Sequence, residues 1–385
     1  MSGCLFRNQL NAQLAIERGQ LYTTLAGIHH KEYLGNRIIL DPKAYSNREG
    51  YTRDPQAVIR PLDENLLYLL PPGIEGFNLA NKVCQECQRL GYPCPPEDCQ
   101  TWQKFDITKV RDVVFDEGAW DHLVLDSETK LLLEALVRVT ENATTTDAII
   151  ADVISGKGGG LISVLHGPPG TGKTLTAESI AEHLHRPMYM VGFAELSTTP
   201  NNLEPNLRRI LSLATAWDAV LLIDEADVFL EQRSLHELER NALVSVALRL
   251  LEYHRGVLFL TTNRITTFDE AFLSRFSIAI KYHELDSAGR CAVWRKFFEL
   301  AGCRIEGPED SDEFMTVDTS VVNISADELD ELAEKLFNGR TIKNLVRTAQ
   351  ALALSQKKPL SAEHVKTVVR VQEKFLREFA STSLQ

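Results

Sequence analysis

Short unbroken apolar runs alternate with helix-spaced stretches through the middle of the chain. The runs 161–165, 188–191, 219–223, 257–260 and 278–280 are rich in aliphatic residues, which predicts strands buried on both faces. Between them Ala177, Ile180, Ala181 and Leu184, then Leu207, Ile210, Leu211 and Ala214, then Leu243, Val246, Ala247 and Leu250 recur at i, i+3, i+4 and i+7. That spacing lays one apolar stripe along each of three helices. Strand, helix and strand in series predict an α/β fold, a three-layer αβα sandwich around a mostly parallel sheet, over residues 110–283.

The flanks have a different texture. Residues 1–109 carry short apolar runs, 37–40 and 66–70, broken by prolines, and read as irregular or β-rich. Residues 284–379 show helix signals and no convincing strand, including the capping-box pattern from Ser325 to Glu328 and a helix start at Ser361. A small helical domain is expected there, with the acidic stretch 302–320 as a solvated connection and 380–385 as a tail.

The chemistry falls where the predicted strands end. Gly167, Pro168, Pro169, Gly170, Thr171, Gly172, Lys173 and Thr174 follow one strand and open one helix, the context a phosphate-binding P-loop requires. Glycines let successive N–H groups turn inward on phosphate oxygens, and the helix start adds its positive dipole end. Lys173 then neutralises the β- and γ-phosphates of ATP, Thr174 offers a hydroxyl to Mg²⁺, and Leu175 continues the loop into the helix. About fifty residues on, the run 219–223 ends in Asp224 and Glu225. Two acids at the end of a buried strand meet no packing demand, which suits Asp224 to Mg²⁺ and Glu225 to the attacking water. Asp227 reads as a cap of the next helix.

These blocks resemble the AAA+ ATPases, and more narrowly the AAA proteins common in filamentous fungi, over about residues 105–375. The most specific stretch of likeness is 241–290, with 250–264 and 268–275 inside it. The resemblance implies that Asn263 senses the γ-phosphate and that Arg275 is an arginine finger reaching a neighbouring subunit's nucleotide. It also implies that Arg340 contacts nucleotide from the helical lid and that the chain assembles into a homo-oligomer, a hexamer in this family. Glycines 156 and 158–160 fall in the loop that often flanks the base, where glycine flexibility alone serves equally well. Two departures stand out. The segment 195–203 lacks the aromatic residue with which many AAA unfoldases grip polypeptide, and Ser274 stands where close relatives carry a second arginine.

Composition narrows the function classes. A formal charge of −12 over 385 residues disfavours a chain built to grip nucleic acid. No run approaches the ~18 to 20 apolar residues of a membrane span, and the start lacks a secretory layout. The expected compartment is intracellular, cytoplasmic by default, with an organelle or the nucleus open. Of seven cysteines, Cys84, Cys87, Cys94 and Cys99 have a spacing that fits a Zn²⁺ knuckle or ordinary free thiols, the second reading being favoured. The expected activity is Mg²⁺-dependent ATP hydrolysis that remodels a protein or complex of unknown identity. The alternatives are an ATP-gated scaffold with slow turnover and, behind it, a nucleic-acid loader.

Overall fold

The computed structural model describes residues 28–41, 73–79, 102–121, 123–141, 160–192, 195–196, 199–233, 237–264, 268–305 and 323–382. The run 66–70, the four clustered cysteines and the acidic stretch from 306 lie outside them, as do glycines 156, 158 and 159.

The N-terminal β signal resolves into strands β1 (His29–Tyr33), β2 (Asn36–Leu40), β3 (Gly73–Asn78), β4 (Trp102–Asp106) and β5 (Val110–Asp112). They form an antiparallel sheet in the order β4-β3-β2-β1-β5. β1 and β2 are joined by Leu34 and Gly35, both at positive φ (50° and 81°), the two-residue turn whose twist matches a hairpin. Alternation along β2 sends Ile38 and Leu40 to a small cluster with Phe105 and Ile107, and Ile39 to the opposite face with Phe77.

That opposite face is shared with the central sheet. Helices α1 (Gly118–Asp121) and α2 (Ser127–Glu141) lead into β6 (Leu161–His166), α3 (Lys173–His183), β7 (Met188–Val191), α4 (Pro200–Ala216) and β8 (Val220–Ile223). There follow α5 (Asp227–Leu230), α6 (Leu238–Glu252), β9 (Val257–Thr262) and β10 (Ile278–Lys281). The sheet is parallel throughout, in the order β10-β6-β9-β8-β7. It is the α/β P-loop architecture expected from the alternating pattern.

Successive residues of each strand serve opposite layers. Ile162, Val164, Leu221, Ile223, Leu258 and Leu260 pack with α4 and α6, while Leu161, Leu165, Val220, Leu222, Val257 and Phe259 pack with α2 and α3. Ile39, Phe77 and Leu79 of the N-terminal sheet lie in the first of these layers. Trp217 Nε1 donates to Asp41 at 2.9 Å and Arg37 pairs with Glu182 at 2.6 Å. The N-terminal sheet thus shares a hydrophobic layer with the central one.

Beyond β10 come α7 (Ser287–Leu300), β11 (Arg304–Ile305), β12 (Asn323–Ile324), α8 (Ala326–Ala333), α9 (Gly339–Ser355) and α10 (Ala362–Thr382). Their core gathers Trp294, Phe298, Leu329, Leu345, Val346 and Val369. The capping box at Ser325 and Glu328 is formed as the spacing predicts. The absence of strand does not hold: β11 and β12 make a two-residue parallel pair, too short for a periodicity signal. α10 does begin just after Ser361, but that hydroxyl lies 2.6 Å from His364 Nδ1. No helix among the described residues is long and apolar enough to cross a membrane.

Candidate functional site

The loop between β6 and α3 is shaped by what surrounds its glycines. Gly167 donates its N–H to Thr262 O at 3.2 Å, and a Cβ there would stand 2.3 Å from the carbonyl oxygen of Tyr282. Gly170 has φ of 76°, and a Cβ would meet Asn338 Cγ at 2.7 Å. Neither position admits a side chain without moving a neighbour. Gly172 caps α3 with no side-chain hydrogen bond to the first turn, so the dipole end faces the loop uncovered by a cap.

Lys173, 8% exposed, lies under this loop. Its Nζ donates to Gly167 O and Pro168 O, both at 2.7 Å, and to Asn263 Oδ1 at 2.9 Å. Burial holds its pKa below the usual lysine value; Asp224 and Asp227 act against the shift, and Arg340 adds to it. Thr171 Oγ1 donates to Pro168 O at 2.9 Å, closing the loop on itself. Pro169 lies within the loop, and Leu175 is 48% exposed on α3.

The carboxyl ends of β8 and β9 bring the acids alongside. Thr174 Oγ1 donates to Asp224 Oδ1 at 3.4 Å, so two hard oxygen donors of the kind Mg²⁺ takes through a few direct bonds and several waters sit together. These residues fit that ion. Glu225 is exposed and held at φ of 55°, a left-handed conformation that costs a non-glycine residue about 1 to 3 kcal/mol. Its N–H donates to Thr261 Oγ1 at 3.1 Å, and Thr261 Oγ1 donates in turn to Asp224 Oδ1. Asp227 is not the cap expected: Ala226 precedes α5, and the Asp227 carboxylate accepts from Thr262 Oγ1.

The lid reaches the same place. Gly339 at the start of α9 donates to Gly170 O at 3.0 Å, and Asn338 caps the helix through Thr341 N–H at 2.9 Å. Arg340 is the next residue, exposed and near enough to depress the Lys173 pKa. Arg275 stands apart. It donates to Ala271 O at 2.7 Å, pairs with Glu252 at 3.4 Å, and leaves a buried Nε without an acceptor. Lys173 is therefore bonded to Asn263 and its chain neighbour Thr174 to Asp224, whereas Arg275 is bound to α6.

Sequence reasoning missed Thr261, Thr262, Asn338 and Tyr282. Tyr282 is buried, with its hydroxyl 2.5 Å from Thr176 Oγ1 on α3. The two threonines did leave a signal: they are polar residues ending an otherwise apolar strand.

Residues 163–284 match the model of the ATPase family associated with various cellular activities (AAA). The chain is 27% identical over 213 residues to the vesicular-fusion protein SEC18 of Saccharomyces cerevisiae, a match covering 50% of this chain and 26% of that protein. It is 26% identical over 202 residues to ATPase family AAA domain-containing protein 3B of Homo sapiens, covering 50% and 30%. Among solved structures, the FIGL-1 AAA domain in complex with ADP superposes with a TM-score of 0.48 at 19% identity, over 68% of this chain and 86% of that one. The chain thus spans about a quarter to a third of the length of the two curated relatives.

Proposed function

We propose that the chain, whose residues 163–284 match the AAA ATPase family, hydrolyses ATP with Mg²⁺, as an oligomer, to remodel a protein or protein complex. The observation carrying this reading is the junction of Lys173, Asn263, Thr174 and Asp224 at the carboxyl ends of β6, β8 and β9. Ligands of open parallel sheets bind beyond those ends.

In this reading the N–H groups of the loop and of the first turn of α3 hold the phosphates, and Lys173 places its ammonium on the β,γ side. Thr174 and Asp224 would hold Mg²⁺, which when bound neutralises charge growing on the phosphate oxygens. Glu225 takes the proton of the attacking water. Asn263, already bonded to Lys173, orients that water. Arg340 faces the nucleotide from α9, and the Gly339–Gly170 bond ties the lid to the state of the loop. Arg275 serves a neighbouring subunit, where a cation supplied from outside stabilises the transferring phosphoryl group. Relatives with names such as vesicular-fusion protein are consistent with remodelling as the work done, and a six-membered ring is the assembly proposed by family.

One observation favours a second reading, an ATP-gated scaffold with slow turnover: the segment 195–203 offers no aromatic residue to grip polypeptide. A nucleic-acid substrate is disfavoured by the charge of −12. Steady-state ATPase assays over a range of protein concentrations, with wild type, Glu225→Gln and Arg275→Ala, separate the two. Turnover that climbs with concentration and is lost in both variants supports the motor. Nucleotide-dependent assembly with negligible turnover supports the scaffold, and turnover indifferent to both substitutions removes the assigned roles.

A further inference from the structure

β9 ends in two adjacent hydroxyls, Thr261 and Thr262, and period-two alternation sends them to opposite layers of the sheet. Thr261 continues the face of Val257 and Phe259, which packs with α3, whereas Thr262 continues the face of Leu258 and Leu260. Each hydroxyl meets one acid of the segment that follows β8, Asp224 directly after the strand and Asp227 at the start of α5. Thr262 donates to Asp227, and Thr261 donates to Asp224 Oδ1. Thr261 is 2% exposed, so water does not compete for either of its bonds.

We infer that Thr261 is a positioning residue for the hydrolytic site, setting both the Mg²⁺-facing carboxylate of Asp224 and the backbone that carries Glu225. The inference rests on the ATPase reading above and deepens it. A hydroxyl has one proton to donate and lone pairs to accept. Here the proton goes to Asp224, fixing the direction of a carboxylate that Thr174 also approaches. The lone pair takes the N–H of Glu225 at 3.1 Å, the residue held at φ of 55°. A left-handed conformation at a non-glycine residue persists only where its surroundings hold it. Thr261 supplies one of those bonds, and Ala226 N–H to Thr261 O at 2.9 Å supplies another one residue later. One side chain therefore aligns the metal-facing acid and the water-facing acid, which a strand of alternating aliphatic residues has no means to do.

The test compares Thr261→Val, which keeps the shape and the branched β-carbon but removes the hydroxyl, with Thr261→Ser, which keeps the hydroxyl. Both are made in the full chain beside wild type and Glu225→Gln. Turnover is measured against Mg²⁺ concentration, a fluorescent ATP analogue is titrated with and without Mg²⁺, and thermal melts report folding. In Thr261→Val, turnover should fall roughly ten- to hundredfold, the scale of a hydrogen bond to a charged group. The Mg²⁺ concentration for half-maximal turnover should rise roughly tenfold, as when a ligand's hydrogen-bonding partner is removed. Mg²⁺-free analogue binding and the melt should stay as in wild type, and Thr261→Ser should restore both kinetic values.

Thr261→Val behaving as wild type, or falling no further than Thr261→Ser, would overturn the inference. So would a loss explained by a lower melt or by weaker Mg²⁺-free binding. A wild type that does not turn over, or a Glu225→Gln that does, sinks the ATPase reading instead. In that event the Mg²⁺-dependent gain in analogue affinity still judges Thr261, for it must shrink in the valine variant alone.

Discussion

Asn263 and Arg275 lie twelve residues apart on the same stretch of chain, yet the structure treats them oppositely. Asn263 is bonded to Lys173 at 2.9 Å, inside the phosphate loop's own network. Arg275 follows the short helical turn Glu270–Phe272 and is bound back onto Ala271 and Glu252. The first is part of a site that a single chain assembles. The second is a cation tied to α6 through a partly exposed ion pair, a contact of the kind that contributes little net energy. The two carry the half-site a subunit owns and, in our reading, the half-site it lends.

The largest effect should come from the lent half. Arg275→Ala is expected to cut turnover roughly a thousandfold, on the scale of arginine fingers, with analogue binding to the isolated subunit unchanged. Mixing Arg275→Ala with Glu225→Gln subunits should recover part of the activity, since each supplies what the other lacks. No recovery at any mixing ratio in an ATPase assay would place Arg275 within its own subunit's site and dissolve the comparison. Asn263→Ala should lower turnover roughly ten- to hundredfold, and mixing it with Arg275→Ala should recover activity as mixing with Glu225→Gln does, because Asn263 and Glu225 both belong to the owned half. Absence of rescue where Glu225→Gln is rescued would mean that Asn263 is not confined to the owned half.

Smaller effects sharpen the distinction. Glu252→Gln weakens the hold on Arg275, and because such a pair is worth at most about 1 kcal/mol, turnover should change by no more than about fivefold. A loss as deep as that of Arg275→Ala would show Glu252 to be essential in its own right. Acid should also act near this tether. His254, two residues beyond Glu252, is buried with Nε2 lacking a hydrogen-bond partner, and burial pushes its pKa down from 6.5 to about 4. Its folded form therefore binds fewer protons than the unfolded chain between those values. Stability should be full above pH 6.5 and fall as the pH drops toward 4, by about 3 kcal/mol at most from this residue. Denaturant melts at pH 7 and pH 5 test this, with a shallower slope expected for His254→Asn and an unchanged slope refuting the role.

Much of the fold was legible because burial on both faces forces a simple code. Strands β8 and β9 are buried along their whole length and β6 over all but its last residue, while along the edge strands β7 and β10 burial alternates. Helices α3, α4 and α6 carry one stripe each, and a glycine loop followed by lysine has few other uses. The N-terminal sheet was legible only as β-rich, since its strands are short and its partners β2 and β3 are separated by more than thirty residues of chain. β11 and β12 are two residues each and left no period to detect.

The sequence by itself determined the P-loop, the acids after β8 and the layered architecture, all of which follow from local spacing and from the demand to bury apolar runs. Tertiary structure decided the rest. Thr261 becomes a bridge between Asp224 and Glu225 only because β8 and β9 are neighbours in the sheet. Asn338 packs on Gly170 only because the lid folds back onto the loop. Arg275 is bound to α6 for a reason of the same kind: hydrogen bonds are set by which groups meet in space, and spacing along the chain does not encode that.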